Sequence, residues 1–459
     1  MSRLPFLRTA LALGTILAVA GCAADSSNGE DTSADEAAFT GTPQDDIGQF
    51  FMIEHYGVVA SGYADVHAMV KQKNLGALIL WNPDNADGTV ARQMSLGYAA
   101  SAKASHHPEM FIAADQEERG TQRFKSRHGF TDLVEGDKLG TIVAREGDAD
   151  VCDLHARITS TEMASVGLNM TLGTVSDVYT HDSGTPGMFR TRAISADPKI
   201  ITSCVQAMTK AYGEEGHVVF ITKHFPGLGN ASGNTDVDAS VHTYSNTKDK
   251  VESDLSPYRA ATASVNGAGT GALFGAMISH ALYPILDASN SPATLSEPIL
   301  TELLRSPSAA QIANGVDKAN AKVSVAGMGL EGVTVSDAFW TWGLTKNSTS
   351  TQRNRLMERS FLAGMDILMI AKTDFNGAWD YFQNINAGTL PAAEQAALAS
   401  DAKMTFQAFQ EKFKLRIAES AKRIKTSKDK VGPVASFVKT GEAHDASKAY
   451  QAQYAKLTQ

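Results

Sequence analysis

A (β/α)8 barrel is the fold class this sequence predicts, and three observations predict it. Short, continuous apolar runs recur along the chain, amphipathic helical stretches separate them, and polar, chemistry-bearing residues follow one run after another. The runs lie at 50–53, 76–81, 110–114, 168–175, 218–222, 272–278, 333–335 and 367–370, the first being the weakest. Runs without polar alternation suit strands buried on both faces, as in a parallel sheet covered by helices. Stretches such as 150–166 and 198–215 supply the helical pattern between them. Eight such units in roughly 330 residues suit a closed barrel better than an open sheet. No Gly-rich dinucleotide fingerprint follows the first run, as an open doubly wound sheet would favour.

The bulk properties fit that architecture. A chain of 459 residues accommodates one large barrel with a leader and a tail, and 43% hydrophobic content can fill its core. With 41 Lys+Arg against 50 Asp+Glu the net charge is −9, which gives no support for a nucleic-acid partner. Three cysteines are too few for a disulfide-dense scaffold or a four-Cys zinc site.

The first cysteine has its own context. Arg3 and Arg8 precede a short apolar run at 10–20, and Val19-Ala20-Gly21-Cys22 closes it. A basic start, an apolar stretch and small residues before a cleavage point describe an export signal. Small residues directly before a cysteine resemble the bacterial lipoprotein box. That resemblance implies a signal peptide at 1–22, Cys22 as the lipidated residue, and a chain anchored to a bacterial membrane at the cell surface or periplasmic side. An ordinary signal peptide or a spanning anchor is the alternative, although the apolar run is short for spanning. Residues 23–43, rich in Ser, Asp, Gly and Thr, read as a disordered tether. The barrel is expected at 44–375.

From 376 to 459 the pattern turns helical, and 392–425 reads as helices packed on the outside of the barrel. The Lys-rich stretch 422–430 reads as a solvated face. Cys152 and Cys204 fall on separate helical stretches. Export would permit them to pair, but two such cysteines are more often small buried apolar groups, and that is the expectation here.

The chemistry concentrates just beyond the apolar runs. Asn82, Asp115, Asp177, the pair Lys223-His224, the pair Ser279-His280 and the pair Ser336-Asp337 all stand at such ends. In a barrel those ends converge on one face, where catalytic groups sit. A rim of mixed acids and bases suits a polyhydroxylated ligand, because sugar hydroxyls both donate and accept. Asp and His could instead bind a divalent ion, but no His-x-His or His-Glu-x-x-His spacing occurs. Nothing points to a metal or an organic cofactor.

Lys223-His224-Phe225-Pro226-Gly227 resembles the Lys-His-Phe-Pro-Gly signature of glycoside hydrolase family 3, and within it the single-barrel β-N-acetylhexosaminidases. Asp115-Gln116-Glu117 with Gln122-Arg123-Phe124, Val175-Ser176-Asp177-Val178, Arg192-Ala193-Ile194 with Asp197-Pro198, Met277-Ile278-Ser279-His280, and Val335-Ser336-Asp337 resemble further segments in the family's order. The resemblance implies that Asp337 is the carboxylate nucleophile. It also implies that Asp115, Arg123, Arg192, Lys223, His224 and His280 hold the sugar. A nucleophilic Asp must be ionised beside the anomeric carbon and form a covalent glycosyl-enzyme.

Two departures stand out. The family's Asp-Gln-Glu-Gly-Gly-Arg reads Asp115-Gln116-Glu117-Glu118-Arg119-Gly120 here. The family's Asp-x-His acid/base pair is missing from the loop after Lys223-His224, which reads Asn234-Thr235-Asp236-Val237-Asp238-Ala239-Ser240-Val241-His242. His242 would meet Asp238 if a helical turn joined them, since positions i and i+4 share a face. Asp236 and Asp238 are the carboxyl alternatives for proton transfer. The second α/β domain of many β-glucosidases of this family has no counterpart in the chain's helical end. The expected activity is therefore retaining hydrolysis of terminal β-linked N-acetylglucosamine. A β-glucosidase or a sugar-binding lipoprotein without turnover are the alternatives.

Overall fold

A computed structural model describes residues 46–81, 87–180, 189–238, 240–307, 327–345 and 347–459. The leader, Cys22, the tether and Asn82 lie outside the described residues. Eight parallel strands form the sheet: β1 Phe51–Tyr56, β2 Ala77–Trp81, β3 Phe111–Ala114, β4 Met170–Val175, β5 Val219–Phe225, β6 Phe274–Ile278, β7 Thr334–Ser336 and β8 Leu368–Ile370. Each strand falls on one of the eight apolar runs, shifted by a few residues at most. β4 and β5 are buried along their whole length, which explains why their sequences lack polar alternation.

The sheet closes. β1 pairs with both β2 and β8. At the remaining seam, the Ile367 amide donates to Thr334 O at 2.9 Å, and the Ser336 amide donates to Ile367 O at 2.9 Å. The expected (β/α)8 barrel is therefore the observed one. Its longer helices are α1 Ala64–Lys73, α2 Gly88–Ala104, α3 Gly136–Glu146, α4 Asp150–Ser165, α5 Pro198–Glu215, α6 Lys248–Ala268, α7 Ser350–Ala363, α8 Phe375–Ala387, α9 Ala392–Ala402, α10 Phe406–Val431 and α11 Lys448–Thr458.

Local chemistry sets the helix ends. Asp87 and Asp197 accept from the first free amides of α2 and α5, and Pro198 opens α5 where no amide is needed. Thr349 and Gln352 form a reciprocal capping box at α7.

The tail does more than cover the outside. α10 crosses the N-terminal ends of the strands. Its Lys428 donates to Gln49 Oε1 at 2.6 Å and to Gly76 O at 3.0 Å, and its ammonium lies 4.9 Å from the Phe111 ring centroid. Arg416 of α10 donates to Phe361 O at 2.9 Å and to Met365 O at 2.8 Å. The Lys-rich stretch is thus only partly a solvated face. Lys428 is half-buried, and desolvation of its ammonium lowers its pKa to about 7.

The cysteine expectation is corrected. Cys152 on α4 and Cys204 on α5 form a disulfide, with Cα atoms 5.3 Å apart. Both cysteines are buried as expected of small apolar groups, but the packing of these two helices brings their sulfurs to bonding distance. No helix among the described residues is long and apolar enough to cross a membrane.

Candidate active site

A cavity of about 490 Å³ opens at the C-terminal ends of the strands, a volume within the ordinary range for small-ligand sites. Asp115 after β3, Lys223 and His224 within β5, and Asp337 after β7 all line it. Arg123, Arg192 and Asp236 reach it from loops. The barrel thus brings seven of the residues expected at a sugar site to one place.

Ion pairs organise the polar end. Lys223 Nζ lies 2.7 Å from Asp115 Oδ1 and 2.5 Å from Glu117 Oε1. Arg192 grips Glu117 with both Nε and Nη2 at 3.0 Å, and Arg123 Nη2 reaches Asp115 Oδ2 at 3.3 Å. Burial disfavours the Glu117 charge, but Arg192 and Lys223 outweigh it and hold the carboxyl well below the usual range. Asp115 and Glu117 in turn keep buried Lys223 charged, with its pKa raised. Gly173 of β4 makes this possible: a Cβ there would stand 2.4 Å from Glu117 Cγ.

Asp177 serves the site from behind. Its carboxylate accepts from His224 Nδ1 at 2.7 Å, from the His224 amide at 3.2 Å and from the Leu228 amide at 2.6 Å. A carboxylate only accepts, so Nδ1 carries the hydrogen and Nε2 is the free ring nitrogen.

Three expected residues lie elsewhere. His280 does not line the cavity. Its Nδ1 pairs with Thr294 Oγ1 at 2.9 Å and its Nε2 with Ala338 O at 3.1 Å, so it supports the turn after Asp337. The loop after β5 forms two paired legs rather than a helical turn. Ser232 donates its amide to His242 O at 2.7 Å, and Ala231 bridges Thr243. His242 therefore sits in a leg, exposed, beside Leu282 and outside the cavity lining. Asp238 turns inward on the loop, where its Oδ2 accepts from the Asn234 amide at 3.1 Å. At the tip, Asn234 Oδ1 accepts from the Asp236 amide at 2.9 Å, and Asp236 is the acid presented to the cavity.

Asp236 and Asp337 differ in proton affinity. Burial alone would raise Asp337. The imidazoles of His280 and His224, the Ala338 amide at 2.8 Å and Lys223 outweigh it and lower its pKa. Asp236 is exposed at the loop tip, yet desolvation on its cavity side and then the charge of Asp337 raise its pKa, against His224, Arg192 and Lys223. The cavity thus holds two carboxyls, one that keeps its proton more readily and one that gives it up more readily.

Glu118 stands where the family has glycine. It is 2% exposed, and its Oε2 accepts from the Gly120 amide at 3.0 Å. Burial, then the charge of Glu117, push its pKa up to about 7 from 4.5. Between those pH values the folded chain keeps a proton that the unfolded chain has lost, so this group makes stability fall as pH rises through that window. Glu118→Gln is expected to raise Tm at pH 7 and to leave it nearly unchanged at pH 4.5 in thermal melts. An equal shift at both pH values would contradict the assignment.

The wider lining was not foreseen from sequence. Glu117 was visible only as part of the Asp-Gln-Glu motif. Trp81 and Trp340 had no signal beyond their places, at the end of β2 and three residues beyond Asp337. Among the described residues no group of three or more His, Cys, Asp or Glu is arranged to hold a metal ion.

A closed barrel whose strand ends deliver clustered acids and bases beside the Asp337 carboxylate suits a glycoside hydrolase. Residues 42–400 match the family model described as the glycosyl hydrolase family 3 N-terminal domain, and the chain belongs to that family. Among solved structures, a glycoside hydrolase family 3 β-N-acetylglucosaminidase from Paenibacillus sp. is similar at 19% identity and a TM-score of 0.66, over 90% of this chain and 68% of that one. A β-N-acetylhexosaminidase from Beutenbergia cavernae is similar at 20% identity and a TM-score of 0.64, over 84% of this chain and 98% of that one. A glycosyl hydrolase family member from Mycobacterium smegmatis aligns at 22% identity with a TM-score of 0.60, over 86% and 98% of the two chains. At these identities the likeness is one of fold. No curated protein matches the sequence.

Proposed function

We propose that this glycosidase removes terminal β-linked N-acetylglucosamine from cell-wall or chitin-type fragments with retention of configuration. The observation that carries the reading is the placement of Asp236 and Asp337 in one cavity with their proton affinities pushed apart. The ionised Asp337 attacks the anomeric carbon while the bond to the leaving oxygen breaks and Asp236 gives that oxygen its proton. The Asp236 carboxylate then takes a proton from water, whose oxygen attacks the same carbon and frees Asp337. Asp115, Glu117, Arg192, Lys223 and His224 hold the sugar hydroxyls. The choice of sugar is supported by the activities named for the Paenibacillus and Beutenbergia proteins.

Export with a lipid on Cys22 belongs to the same proposal. The Cys152–Cys204 disulfide supports it, because disulfides persist in oxidising compartments.

The test is turnover of a 4-nitrophenyl N-acetyl-β-glucosaminide and of N,N'-diacetylchitobiose, with Asp236→Ala and His242→Ala alongside. Asp236→Ala is expected to lose on the order of 10²–10⁴-fold on the disaccharide and less on the nitrophenyl glycoside, whose leaving group needs no proton. Azide is expected to restore its rate and give the β-glycosyl azide. His242→Ala is expected to stay within about twofold of wild type. A larger loss in His242→Ala than in Asp236→Ala would transfer the acid/base role to the histidine. Sugar binding without turnover on any substrate would leave a binding protein.

A further inference from the structure

One side of the cavity is aromatic. Trp81, the last residue of β2, and Trp340 both line it, and both are half-buried. Their ring centroids are 5.9 Å apart with the planes at 89°, an edge-to-face pair. The Arg123 guanidinium stands 5.2 Å from the Trp81 ring centroid. In a perpendicular pair one ring offers its edge to a face of the other. Whichever ring offers the edge, at least one face of Trp340 is left uncovered by Trp81, whereas Trp81 is also engaged by Arg123.

Trp340 rides on a braced turn. The Ala338 amide donates to Asp337 Oδ1 at 2.8 Å, the Phe339 amide to Met369 O at 2.9 Å, and the Thr341 amide to Ala338 O at 3.1 Å. His280 engages Ala338 O from below, and the buried Phe339 ring meets the His280 ring edge-to-face at 5.7 Å. The platform is therefore set before any ligand arrives, and its ordering cost on binding is small. It also sits on the same turn as the carboxylate assigned to the reacting carbon. The charged groups that suit a sugar's hydroxyls come instead from β3, β5 and the Arg192 loop.

We propose that Trp340, steadied by Trp81, is a platform for the ring on the leaving-group side of the scissile bond. On that account the substrate is a disaccharide or longer, with a second pyranose packed by its C–H face on the indole. The proposal rests on the glycosidase reading above, and it adds the residue that receives the leaving sugar.

The experiment compares kcat/KM on N,N'-diacetylchitobiose and on methyl N-acetyl-β-glucosaminide for wild type, Trp340→Phe and Trp340→Ala. Trp340→Ala is expected to lose about ten-fold or more on the disaccharide and less than about twofold on the methyl glycoside, while Trp340→Phe keeps most of the disaccharide rate. Equal losses on both substrates, or no loss on the disaccharide, would overturn the proposal. If wild type turns over neither substrate, the glycosidase reading fails and binding decides the platform. Tighter binding of the disaccharide than of N-acetylglucosamine, with the difference lost in Trp340→Ala, supports it. No such difference overturns it.

Discussion

Asp337→Ala is expected to reduce kcat on a nitrophenyl N-acetyl-β-glucosaminide on the order of 10⁴-fold or more, with the melting temperature nearly unchanged. The argument is electrostatic and geometric. Asp337 follows the short, fully buried β7, and the cavity reaches its carboxyl. His280, His224, Lys223 and the Ala338 amide keep it ionised in spite of its burial. An alanine leaves the sugar-holding groups in place, so binding of N-acetylglucosamine is expected to survive while bond cleavage does not. A slow fluorinated substrate should leave a covalent adduct on Asp337, read by mass spectrometry of the digested protein. Retention of more than about a tenth of the wild-type rate, or an adduct on another side chain, would remove Asp337 from the nucleophile's place. The pH profile gives the same assignment a second check. Activity should fall on the acid side as Asp337 gains a proton, at a pH below the ordinary Asp value, and on the alkaline side as Asp236 loses its own, at a pH above that value.

The fold was legible because strands buried on both faces leave an unambiguous trace. The short β7 and β8 show only as runs of three and four residues, yet the order of the other strands leaves room for just two more. The strand-end rule also brings Asp115, Lys223, His224 and Asp337 to the cavity, since a strand end fixes where the next side chain points. It misplaced His280 for a reason outside that rule. The turn after β7 needs a partner for Ala338 O, and Thr294 offers one for the other ring nitrogen. The conformation of the loop after β5 was not legible, although Asp236 was among the acids it offered. The i,i+4 argument for Asp238 and His242 assumes a helical turn, whereas the loop pairs its legs and presents its tip. Which acid faces the sugar then depends on Asn234, which caps the tip from both sides. The disulfide was hidden for a similar reason: pairing depends on how α4 and α5 pack, and the spacing of Cys152 and Cys204 carries no information about that.

Asp366→Ala is expected to destabilise the protein by about 3–5 kcal/mol, read from the midpoint of a denaturant melt. Asp366 is fully buried just before β8, and three arginines converge on it. Arg416 and Arg423 of α10 donate to its Oδ1 at 2.8 Å and 3.1 Å, and Ser420 adds a bond at 2.8 Å. Arg305 binds the other oxygen, which also accepts from the Thr334 amide at 3.0 Å. One carboxylate thus ties the tail helix to the first residue of β7, the strand that ends in Ser336 and Asp337. Removing it leaves buried cations without their counter-charge, which costs more than the pair itself contributes. The surrounding arginines overcome burial and depress the Asp366 pKa far below 3.8. A depressed acid contributes its full stabilisation above its unfolded value and loses it progressively as pH falls from that value to the folded one. Wild type should therefore keep this tie well below pH 4, and the gap between wild type and Asp366→Ala should stay constant from pH 7 down to about pH 4. Asp366→Asn keeps the shape and one acceptor without the charge, and should fall between the two. A loss under about 1 kcal/mol in Asp366→Ala would show that the arginines find other partners and that the tail is held by its apolar face alone.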